Sequence, residues 1–65
     1  MSYQVFKDRV NSLIRHSKTG ITVRFKYADG KFFANCSDGT TIVGNPVSSR
    51  VQIQWGSGHK AIAKI

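Results

Sequence analysis

The sequence predicts an α+β fold: an N-terminal amphipathic helix packed on an antiparallel meander of about five short strands, as an open sheet or a small partly closed barrel. Three observations lead there. Apolar residues recur at steps of three and four over residues 3–16. After Gly20 the period falls to two. From there on, Asp29-Gly30, Asp38-Gly39 and Gly56-Ser57-Gly58 punctuate the chain at short intervals.

In the helix, Tyr3, Phe6, Val10, Leu13 and Ile14 form one apolar stripe, while Lys7, Asp8, Asn11 and Arg15 face away from it. Ser2 is the expected N-cap, because its hydroxyl oxygen can accept an open amide of the first turn. Position 5 is Val, so the reciprocal capping box is missing. Arg15, His16 and Lys18 place positive charge where the helix dipole favours it, and Gly20 supplies the stop.

From Ile21 to Tyr27 apolar and polar residues alternate without a break, which describes a strand with one dry and one wet face. Asp29-Gly30 suits a two-residue hairpin loop. Counting outward from it, Ala28 faces Lys31. On the dry side Tyr27 then meets Phe32, Phe25 meets Ala34 and Val23 meets Cys36. On the wet side Lys26 meets Phe33 and Arg24 meets Asn35. Every dry-side pair is apolar, so the register is self-consistent.

A third strand is expected over residues 40–44, in one of two registers. A two-residue loop at Asp38-Gly39 would turn Thr41 and Val43 inward, whereas one more loop residue would bury Ile42 instead. Gly44-Asn45-Pro46 breaks the pattern, and residues 47–49 form a surface connection. Val51, Ile53 and Trp55 then alternate with Arg50, Gln52 and Gln54 as a fourth strand, with Trp55 expected in the core. Residues 59–65 make the fifth. If Trp55 lies opposite His59, then Ile53 faces Ala61 and Val51 faces Ala63, leaving Arg50, Gln54, Lys60 and Lys64 on the other side.

The chain of 65 residues allows one small basic domain, 1–65, and no deep catalytic cleft. An apolar fraction of 40% is normal for a globular domain and too high for a disordered tail. No apolar run approaches the ~20 residues of a membrane span. Neither a disulfide partner for Cys36 nor an export signal is visible, so the expected setting is cytoplasmic, with no membrane partner.

Candidate chemistry is sparse. Beyond ordinary hydroxyls, the acid, base and nucleophile inventory is Asp8, Asp29, Asp38, His16, His59 and Cys36. The aspartates at 29 and 38 already serve turns. A pairing of Cys36 with His59 would lack a third group to orient the imidazole. Structural zinc needs about four ligands, usually in close pairs, and Cys36, His16 and His59 are too few and too scattered. Gly56-Ser57-Gly58 lacks the adjoining lysine and following helix of a phosphate-binding loop. The expectation is therefore a non-enzyme with no catalytic residues, metal or cofactor, and no small-molecule substrate is evident.

Charge is the stronger signal. Ten Lys and Arg face three acidic residues, all Asp, for a net charge of +7. Solubility alone would be served by either sign, so the total absence of Glu points to a polyanionic partner. On the wet face of the first hairpin Arg24 and Lys26 flank Phe33, the combination with which proteins hold phosphate and stack a base. Arg50, Lys60 and Lys64 add to it from the last two strands, on the same surface or a second one. The expected function is nucleic-acid binding, to DNA or RNA, through Arg24, Lys26, Phe33, Arg50, Lys60 and Lys64. The competing expectation is a protein-interaction module, an inhibitor or adaptor, acting through an exposed strand edge or the Phe33 side; a homodimer formed by such an edge belongs to the same class.

Overall fold

A computed structural model describes residues 1–17 and 20–64. Lys18, Ile65 and the side chain of His16, assigned above to the helix end or the last strand, lie outside the described residues. The helix α1 (Tyr3–Ser17) starts as its capping residue dictates. The Ser2 Oγ accepts the Val5 N–H at 3.1 Å, and the Ser2 carbonyl accepts that of Phe6 at 3.0 Å.

Five strands follow: β1 (Val23–Ala28), β2 (Lys31–Cys36), β3 (Thr41–Gly44), β4 (Arg50–Gln54) and β5 (Lys60–Lys64). Each pairs antiparallel with its sequence neighbour, so the sheet order is β1-β2-β3-β4-β5, with β1 and β5 as the two edges. The sheet is open, not a barrel. One helix laid on its apolar face dries that face, and closure is not needed for burial.

The first hairpin has the register counted from Asp29-Gly30 at all six positions, from Val23 opposite Cys36 to Ala28 opposite Lys31. Asp29 and Gly30 both have positive φ, 54° and 70°, the conformation of a type I′ turn. The next loop is a residue longer than a two-residue hairpin. Cys36 donates its N–H to the Thr40 carbonyl at 2.8 Å across Ser37-Asp38-Gly39, and the Gly39 N–H returns to the Cys36 carbonyl at 3.1 Å. The extra residue moves the register by one. Ile42 is buried opposite Ala34, while Thr41 and Val43 turn to the uncovered face, correcting the short-loop alternative. The β4–β5 loop repeats the arrangement, with the Trp55 N–H bonded to the His59 carbonyl at 2.9 Å and the Gly58 N–H to that of Trp55 at 2.9 Å. Its register sets Ile53 against Ala61 and Val51 against Ala63, as counted.

The buried core comprises Phe6 and Val10 from α1 with Phe32, Ala34, Ile42, Val51 and Ile53 from the three central strands. Leu13, Ile14, Val23 and Phe25 pack against it from the margins. Phe32 is the hub of the aromatic contacts, with ring centroids 5.2 Å from Tyr3, 5.4 Å from Phe6 and 4.9 Å from Tyr27. Trp55 is not part of the core. It lies just past the end of β4, 42% exposed, on the wall of a groove that also involves Leu13, Ile14 and Ile21. The groove between Trp55 and the α1 residues Leu13 and Ile14 is not filled by a side chain, so alternation gives the right face and the wrong burial.

Gly44 ends β3 under the helix. A Cβ there would stand 2.9 Å from Cδ1 and 3.1 Å from Cε1 of Phe6, and 3.2 Å from Cε of Met1. Gly44→Ala is expected to destabilise the fold by about 1–3 kcal/mol through overpacking. A urea titration checks this, and a midpoint equal to that of the wild type would show that the Phe6 ring has room to shift.

Candidate nucleic-acid interface

Strand alternation sends one side chain in two to the face that α1 does not cover. The pairings order these outward residues into rows across the sheet. One row runs Lys26, Phe33, Val43, Gln52, Ile62, and the next runs Arg24, Asn35, Thr41, Gln54, Lys60. Beyond the first row, Lys31 stands on β2 opposite Ala28, and Arg50 stands opposite Lys64 on β4 and β5.

All six residues assigned from sequence to the site therefore share one surface. Arg24 and Lys26 lie along the β1 edge, Lys60 and Lys64 along the β5 edge, and Arg50 beside the latter. The Phe33 ring is half-buried, with Lys26 as its cross-strand neighbour. At about 4.8 Å per strand, the two cationic margins stand roughly 19 Å apart. The strip between them, from β2 to β4, is uncharged except at its Lys31 and Arg50 corners.

Three further members of the face do not follow from the charge pattern. Lys31 has the same parity as Phe33, and counting along the hairpin is the signal that finds it. Val43 is hidden by the undecided register of β3. Ile62, 66% exposed, sits between Lys60 and Lys64, and an apolar residue in a short terminal strand looks like core.

Among the described residues, Lys31 brings the Lys and Arg on this face to six, all exposed, and none of the three Asp lies there. Among the described residues none of the six is held in an ion pair. Arg50 and Lys64 are directly opposed across β4 and β5. Like charges in that position cost stability, a cost that a bound anion would relieve.

Among the described residues, no three His, Cys, Asp or Glu side chains gather where a metal ion could be held. The Cys36 thiol is pushed up from its ordinary pKa, first by burial and second by the nearby Asp38 carboxylate, both of which favour the protonated form. No described helix is long and apolar enough to cross a membrane. Compared with protein-family models, curated proteins and solved structures, the chain matches none.

Proposed function

We propose that the protein binds single-stranded nucleic acid across the open face of its sheet, with charge supplying most of the affinity and Phe33 a stacking platform. The observation that carries this reading is the segregation of six cations, with no acid, around the one aromatic ring on that face. A single strand suits the face better than a duplex. The sheet is roughly 19 Å wide from β1 to β5, against about 12 Å for the major groove of B-DNA, so it cannot enter the groove as a helix or two-stranded ribbon does. Unstacked bases can lie on the Phe33–Val43 centre while phosphates reach the margins.

Fluorescence anisotropy with single- and double-stranded oligonucleotides over a salt series tests the proposal. Log affinity should fall linearly with log salt, and the single strand should bind more tightly. Phe33→Ala should weaken single-strand binding by about 1–3 kcal/mol with little change in slope, because stacking releases no counterions. Absence of salt-dependent affinity near physiological ionic strength would overturn the reading and leave the apolar row as a protein contact.

A further inference from the structure

Where β3 ends at Gly44, the chain swings through residues 45–49 before β4 begins, and the open face is indented there. The hollow measures about 250 Å³, and its lining includes the apolar Val43 and Ile62 and the polar Lys31, Asn45, Arg50 and Gln52. That is smaller than the roughly 300–1,000 Å³ cleft of a drug-sized ligand, and it suits one small flat ring. Val43 is the cross-strand neighbour of Phe33, so a base in the hollow would lie next to a base stacked on that ring.

Asn45 gives the hollow a fixed polarity. Its Oδ1 accepts the N–H groups of Val47 at 2.9 Å and Ser48 at 2.8 Å. Backbone N–H groups can only donate, so the amide oxygen is committed to the turn. What remains at Nδ2 is a pair of donors. Gln52 has no such constraint and can present either end of its amide.

We propose that the hollow receives one pyrimidine of the bound strand, its phosphate lying between Lys31 and Arg50, and that the Asn45 Nδ2 donates to the base's carbonyl oxygen. This rests on the nucleic-acid reading above. Thymine, uracil and cytosine all carry an O2 carbonyl, whereas adenine offers an N–H donor only its ring nitrogens and brings a second ring into a small hollow. The preference for pyrimidine over adenine rests on the O2 contact and on size together.

The test measures binding of dT8, dC8 and dA8 at one salt concentration. Wild-type protein should favour either pyrimidine oligomer over dA8 by about threefold to tenfold, the worth of one net hydrogen bond. Asn45→Asp retains the oxygen that accepts the Val47 and Ser48 amides, so the turn survives, but it offers no N–H. Its added negative charge weakens all three complexes, most of all those whose O2 carbonyl would face the carboxylate, and the preference ratio should fall toward one. Self-stacking in dA8 is the same for both proteins and does not alter this comparison. Equal binding of dT8 and dA8 by the wild type, or an unchanged ratio in Asn45→Asp, overturns the assignment while leaving nucleic-acid binding intact. Loss of salt-dependent binding to every oligomer in the wild type overturns both.

Discussion

Phe6→Ala is expected to leave the chain largely unfolded at room temperature. The ring is fully buried, with centroids 5.4 Å from Phe32 and 6.3 Å from Phe25, and it fills the space above Gly44. Removing a buried phenylalanine costs about 3–5 kcal/mol, from the transfer energy of the ring and from the cavity left behind. A chain of this length has about 3–10 kcal/mol in all at the usual stability per residue. Phe6 and Val10 are the two helix side chains wholly inside the core, with Tyr3, Leu13 and Ile14 only partly buried beside them. Far-ultraviolet circular dichroism with a urea titration measures the effect. A cooperative transition near the wild-type midpoint would show that α1 is held by something else.

The second large effect concerns binding and should leave folding alone. Arg24, Lys26, Lys60 and Lys64 are all exposed and lie on the two edge strands. Replacing the four with glutamine removes both cationic margins without opening a cavity. The slope of log affinity against log salt should shrink by about 0.7 for each phosphate that is no longer neutralised, and single-strand affinity should fall by more than an order of magnitude. The denaturation midpoint should hold or rise slightly, since β4 and β5 are relieved of the opposed Arg50 and Lys64 charges. An unchanged salt slope would place the nucleic acid elsewhere on the molecule.

The first hairpin is legible in the sequence to the residue, because Asp29-Gly30 fixes both the turn and the register and the alternation on each arm agrees with it. The helix is legible for a similar reason, with a cap and a stripe that coincide. β3 is not. Asp38-Gly39 fits a two-residue or a three-residue loop, and four strand residues with apolar side chains on both faces cannot choose between them. That one ambiguity conceals Val43 and with it the continuity of the open face. Trp55 is misplaced because alternation records which way a side chain points, and not how closely the facing element packs on it. Whether Arg24 and Lys64 share a surface depends on the sheet being open, a property set by the placement of α1 and carried by no local pattern.

The strand β5 has one further consequence. Its sequence, Lys60-Ala61-Ile62-Ala63-Lys64, is the same in both directions. As an edge strand it offers a row of unpaired backbone groups, and two molecules could lay these rows against each other with two-fold symmetry. Centred on Ile62, that arrangement would set every Lys60 against a Lys64, and like charges directly opposite oppose the pairing. The palindrome therefore carries its own deterrent to edge-to-edge pairing of two molecules. The deterrent acts by charge and not by shape, so it weakens as salt rises or as an anion settles on the lysines.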